Sequence, residues 1–141
     1  MPVGNLGPDD VVTASPESSL GEITETLDSE NVGAIVITED ESPIGIITDR
    51  DAALAIHQHD DVADVSVQDV MSEDPATLQE DDEAMEISRA IENHNVRRFP
   101  VVDDTGSLTG IVTLDDLVAT IGEQLDNVAD TIEAQSPEYS P

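Results

Sequence analysis

Apolar residues along the chain switch between two spacings, and the switch occurs twice in the same order. Val11-Val12-Thr13 is a short apolar run, Leu20, Ile23 and Leu27 share one helical face, and Ala34 to Thr38 and Ile44 to Thr48 are β-branched runs. Residues 49–57 return to helical spacing. The order then recurs as Ala76-Thr77-Leu78, the stripe Ala84, Ile87 and Ile91, the runs Phe99 to Asp103 and Leu108 to Thr113, and a helix after Asp116. The pattern predicts strand, helix, strand, strand, helix, twice over. Ser18 and Ser19 with Glu22 read as a capping box, Asn31 and Asn95 as left-handed helix stops, and 39–43 and the Gly106 segment as turns.

The two halves can be put in register. Leu20, Ile23, Leu27 and Asn31 match Ala84, Ile87, Ile91 and Asn95 at an offset of 64, whereas Gly45, Thr48 and Asp51 match Gly110, Thr113 and Asp116 at 65. A slip of one residue confined to a polar turn is what duplication of a structural unit leaves behind. Each unit is near the lower size limit for an independent core, so two three-stranded sheets carrying helices are expected to pack on each other about a pseudo-two-fold axis. The fold class is therefore α/β, with repeat 1 at 1–60, a linker at 61–69, repeat 2 at 70–122, and a helical extension and tail at 123–141. Residues 1–10, with Pro2, Gly4, Gly7 and Pro8, read as an irregular lead-in, and 135–141 as a frayed tail. The last helix carries Leu117, Ile121, Leu125, Val128 and Ile132 as one stripe, expected to pack on its own domain unless it outruns it.

Charge narrows the function classes. Four basic residues, all arginine, stand against 33 acidic ones, for a formal net charge of -29 in 141 residues. Such a surface suits a halophile's cytosol, where molar salt cuts the Debye length to about 3 Å and screens self-repulsion. It argues against nucleic acid, whose phosphates need basic patches, and against membranes. The hydrophobic share of 38% and the periodic apolar runs argue against disorder. With no cysteine there is neither a disulfide nor a thiolate metal site. No apolar run approaches about 20 residues and no signal segment is evident, so a cytoplasmic location is expected.

The chemistry is expected where each central strand runs into a helix. Gly45-Ile46-Ile47-Thr48-Asp49-Arg50-Asp51 returns as Gly110-Ile111-Val112-Thr113-Leu114-Asp115-Asp116. A carboxylate at a helix start can accept both hydroxyls of a ribose, and the helix terminus with the threonine hydroxyl can hold a phosphate. The glycine would let a flat base approach the strand. The same Thr-x-x-Asp also reads as a helix cap contributing about 1 kcal/mol, and the motif alone does not choose between the two.

Three stretches together resemble a tandem pair of CBS (cystathionine-β-synthase) domains, a Bateman module, over nearly the whole chain. They are the paired Gly45 to Asp51 and Gly110 to Asp116, Val96-Arg97-Arg98-Phe99-Pro100-Val101-Val102, and Val70-Met71-Ser72-Glu73-Asp74-Pro75. The resemblance implies a regulatory module binding AMP, ADP, ATP or S-adenosylmethionine between the repeats, with no catalytic cofactor. It implies phosphate and ribose contacts from Thr48, Asp51, Thr113 and Asp116. It also implies a homodimer and a regulated target protein. The repeat alignment sets Gly7 opposite Met71, a departure from the family pattern.

Arginine placement weighs toward a ligand. Arg50 lies inside the first motif and Arg97 and Arg98 lead toward the second, leaving Arg89 elsewhere. An anion in so negative a field needs such local cations. Strand alternation predicts that only one of Arg97 and Arg98 faces the cleft, and the Asp116 site is expected to be the better of two unequal sites. His57 and His59 with Asp60 and Asp61 read as a solvated helix end rather than a metal site, His94 as a loop residue, and Asp103 to Ser107 as a turn rather than a calcium loop. No nucleophile-base pair, cofactor loop or metal triad points to an enzyme. A ligand-free dimerisation module is the remaining alternative.

Overall fold

The structure, a computed structural model, describes residues 2–8 and 10–135, so all of the expected tail except Gln135 lies outside the described residues. In the first repeat β1 (Thr13–Ala14) is followed by α1 (Leu20–Ser29), β2 (Ala34–Glu39), β3 (Ser42–Thr48) and α2 (Asp49–Gln58). A short β4 (Ser72–Glu73) precedes the second repeat, made of β5 (Leu78–Gln79), α3 (Met85–His94), β6 (Arg98–Val102), β7 (Leu108–Thr113) and α4 (Leu114–Gln135). In both sheets the first strand runs parallel to the second and the second antiparallel to the third. The first sheet has a fourth strand, because β4 pairs antiparallel with β3 through Gly45 and Ile46. The expectation of three strands in each sheet omitted it.

Local signals set the element ends. The Ser19 hydroxyl accepts a hydrogen bond from the Glu22 amide at 3.2 Å and caps α1. Asn31 and Asn95 both take φ 53°, the left-handed conformation that ends a helix and that asparagine tolerates. The turn expected over 39–43 shrinks to Asp40 and Glu41, both with positive φ, because Pro43 already pairs with Thr38. The Asp103 carboxylate accepts from the Thr105 hydroxyl at 2.6 Å and from the Thr105 and Ser107 amides, closing the β6–β7 turn on itself.

Each sheet buries both faces. Ile35, Ile37 and Ile47 join Leu20, Ile23 and Ala55 in one core, and Phe99, Val101 and Val112 join Ile87 and Leu78 in the other. Alternation sends Val36, and on β6 Pro100 and Val102, to the opposite faces, where they are buried too. Parallel β1 and β5 give each sheet the doubly covered character of an α/β protein.

The two repeats exchange their leading segments. Val3, in a turn of 3-10 helix at Val3–Asn5, is fully buried in the second core, and Val67, in the matching turn Val67–Asp69, in the first. Hydrogen bonds repeat the exchange at the same offset: the Val3 amide donates to the Asp82 carbonyl at 2.7 Å, and the Val67 amide to the Ser18 carbonyl at 2.8 Å. The bridges Pro2 to Glu83 and Ser66 to Ser19 are likewise a pair. The segment read as an irregular lead-in thus completes repeat 2, and part of the stretch read as a linker completes repeat 1.

The stripe on α4 outruns the domain. Leu117 reaches the second core, but Ile121, Leu125, Val128 and Ile132 are exposed, so self-packing accounts only for the first turn.

Candidate functional site

Both Thr-x-x-Asp motifs are reciprocal helix caps. The Thr48 amide donates to Asp51 Oδ2 at 3.0 Å and the Asp51 amide to Thr48 Oγ1 at 3.2 Å. The Thr113 amide donates to Asp116 Oδ2 at 2.9 Å and the Asp116 amide to Thr113 Oγ1 at 3.1 Å. In each box only one carboxylate oxygen is used, and among the described residues Oδ1 of Asp51 accepts no hydrogen bond. Capping and ligand contact therefore do not compete for the same atom.

The helix terminus itself is less open than expected. The Asp49 amide donates to the Gly33 carbonyl at 3.1 Å, the Arg50 amide to Asp49 Oδ1 at 2.8 Å, and the Asp51 amide is taken by the cap. The free amides that would hold a phosphate are already satisfied inside the protein. An anion at this terminus would have to be met by side chains.

Those side chains converge on one cleft. Thr48, Arg50 and Asp51 at the β3–α2 junction face residues 72–76 and 94–98 across an opening of about 500 Å³. This is within the range of about 300–1,000 Å³ usual for small-molecule sites. Asp74, with φ 48°, and Asn95 turn the backbone away at its margins. Arg97 and Arg98 both line it, contrary to the expected alternation, because β6 begins only at Arg98 and Arg97 lies outside the strand. Arg97 makes an exposed ion pair with Asp115 at 3.4 Å, a contact worth about 0–1 kcal/mol, while Arg50 and Arg98 make none among the described residues. Arg89 is occupied elsewhere, with Glu86 at 2.6 Å on α3. His94 lines the cleft and is exposed.

The matching opening on the other side is smaller. It is bordered by Pro8, residues 10–12 and 32–34, Arg98 and Ile111, and measures about 200 Å³. A separate space of about 140 Å³ adjoins Thr113, Leu114 and Asp115 with Arg97 and Arg98, and Asp116 borders none of these three. The asymmetry follows from sequence: Gly33-Ala34 stands where the other repeat has Arg97-Arg98, and Asp115 where it has Arg50. Gly33 also makes room, since a Cβ there would lie 3.3 Å from the Arg98 guanidinium.

Neither motif glycine opens its strand to a base. The Met71 thioether fills the space at Gly45, and the Pro8 carbonyl lies 3.2 Å from where a Gly110 Cβ would be. Gly7, aligned with Met71, is pressed against the Ile111 carbonyl, which explains why that position carries no side chain. Residues 72–76 were not singled out as site residues by sequence reasoning, although they follow the Val70-Met71 stretch that marks the second repeat. A further groove of about 530 Å³ between α1 and α2 is lined mainly by apolar residues with Asp28 and Asp49 and holds no cation. Among the described residues no cluster of three or more His, Cys, Asp or Glu is set to hold a metal, and no helix is long and apolar enough to cross a membrane.

The family model for the CBS domain matches residues 3–58 and 67–123, both repeats with their exchanged leading segments. The chain belongs to the CBS domain family. Its similarity to other CBS pairs extends across the fold. An uncharacterized protein of Methanopyrus kandleri is 38% identical over 132 residues, covering 87% of this chain and 67% of that protein. The solved CBS domain pair of protein MJ0100, in complex with 5-methylthioadenosine and S-adenosyl-L-methionine, superposes with a TM-score of 0.78 at 26% identity, covering 88% of this chain and 98% of that one. Inosine-5'-monophosphate dehydrogenase of Methanocaldococcus jannaschii is 34% identical over 110 residues, but the matched part is 21% of that enzyme.

Proposed function

We propose that this CBS pair is a non-catalytic sensor that holds an adenosine nucleotide in the cleft at Thr48 and Asp51 and passes its occupancy to a partner protein. The observation that carries the reading is the gathering of Arg50, Arg97 and Arg98, three of four basic residues, around one 500 Å³ opening. Asp51 Oδ1 is the acceptor for the ribose hydroxyls, and the guanidiniums are the donors for phosphate. The likeness to a pair that binds S-adenosyl-L-methionine supports an adenosine ligand. Three cations favour the anionic members of that class, AMP, ADP or ATP, over a sulfonium. The Asp51 cleft, rather than the Asp116 side, has the volume. The acidic surface suits a cytoplasm at high salt, and a homodimer of the module completes the reading.

A ligand-free interaction module is favoured by one observation, that both motifs already serve as caps. Calorimetric titration of the full chain with AMP, ADP, ATP and S-adenosylmethionine in multimolar KCl separates the two. The sensor reading expects saturable heat with the nucleotides, weaker heat with S-adenosylmethionine, and no turnover. No heat at millimolar nucleotide leaves only the interaction module.

A further inference from the structure

We propose that α4 pairs with α4 of a second copy of this chain along a seam made by Val118, Ile121, Leu125, Val128 and Ile132. These residues follow one another at three, four, three and four positions, the a and d spacing of a coiled coil. All five are exposed, by 44–64%, so the seam is unpartnered among the described residues. Isolated apolar residues on a surface need no explanation, but a continuous a and d row does.

Charge identifies the occupant. Beyond Val118 the acids of α4 are Glu123, Asp126, Asp130 and Glu133, and on this register they occupy only the two outermost positions, b and f. The e and g positions flanking the seam are Gly122, Gln124, Ala129 and Thr131, all uncharged. In a chain of net charge -29, a neutral border along an apolar row removes the like-charge repulsion that would oppose a copy of the same helix. A basic partner would instead be drawn by acids at e and g, and there are none. The seam covers two heptads, roughly 21 Å at about 1.5 Å per residue, too short to pair as a free peptide. Its helix is already ordered by the Thr113–Asp116 cap and by Leu117 in the second core, so pairing carries little ordering cost.

The test is the mass of the full chain in multimolar KCl by light scattering after gel filtration. The wild type is expected at twice the 15.0 kDa chain mass. Leu125→Glu with Val128→Glu is expected at the single-chain mass with an unchanged circular dichroism spectrum, while Asp126→Ala with Asp130→Ala, on the outer face, stays double. Leu125 is the middle of the seam and meets its own copy where the two helices run parallel in register. Leu125→Cys, in a chain without cysteine, is then expected to form a covalent dimer on oxidation. A wild type of single mass at all concentrations overturns the proposal. So does a Leu125→Glu, Val128→Glu protein that keeps the double mass.

Discussion

Asp51 and Thr48 hold each other through two backbone amides, and the bond from Thr48 uses only Oδ2 of the aspartate. The cap and the ligand contact can therefore be separated by substitution. Asp51→Asn keeps an oxygen that accepts from the Thr48 amide, so stability is expected to change by less than about 0.5 kcal/mol. Asp51→Ala removes the cap and is expected to cost about 1 kcal/mol. Urea unfolding in high KCl reads both, and equal losses would mean that the charge itself, rather than the acceptor, sustains the cap.

Gly7 and Gly45 are both places where a close neighbour leaves no room for a side chain, but the neighbours differ in what can yield. A Cβ at Gly45 meets the flexible thioether of Met71, whereas a Cβ at Gly7 meets the Ile111 backbone carbonyl. Gly7→Ala is expected to destabilise by about 2–3 kcal/mol and Gly45→Ala by about 1 kcal/mol, in line with overpacking at rigid and adaptable positions. The reverse order in denaturant midpoints would contradict the close approach at Ile111.

The exchange of leading segments has a regional signature. Val3→Ala removes two fully buried methyl groups and is expected to cost about 2 kcal/mol, as is Val67→Ala. Hydrogen exchange should loosen β5, β6 and α3 in the first variant and β2, β3 and α1 in the second. Loosening of the sequence-adjacent repeat in each case would refute the exchange.

Much of this architecture was legible because it is written locally. The two central strands of each repeat, the Ser19 cap, the stops at Asn31 and Asn95 and the two Thr-x-x-Asp junctions depend on residues close in sequence and are found where expected. The leading strands, by contrast, begin two residues later, at Thr13 and Leu78, and β4 was missed. What was missed depends on distant partners. Val3 and Val67 are single buried residues in polar segments, and nothing near them in sequence indicates that their cores lie in the other repeat. The cleft was half legible: the three arginines stood out in the sequence, but which side of the molecule gathers them depends on where β6 begins. The amides of α2 were expected to be free, and the Gly33 carbonyl that takes one of them comes from the start of another strand.

Asp103 links the second hairpin to pH. The Thr105 hydroxyl and then the Ser107 amide hold its carboxyl below the ordinary carboxylate value. A lowered folded-state value contributes stability that is present above the unfolded value of about 3.9 and is lost as pH falls through the folded one. Asp103→Asn should therefore unfold at lower urea than the wild type near neutral pH, and the two midpoints should converge on acidification. A gap that persists in acid would show that the carboxylate charge is not its source.

The central claim, that the cleft at Asp51 holds an anionic adenosine nucleotide, is tested most directly by titrating ATP into Asp51→Asn and Asp116→Asn side by side in multimolar KCl. The geometry predicts a loss of about tenfold or more in affinity for Asp51→Asn, equivalent to a charge-assisted bond of about 1.4 kcal/mol or more. Asp116→Asn should bind as the wild type does. Unchanged affinity in Asp51→Asn, with the loss falling on Asp116→Asn, would contradict the account and move the ligand to the other side of the pair.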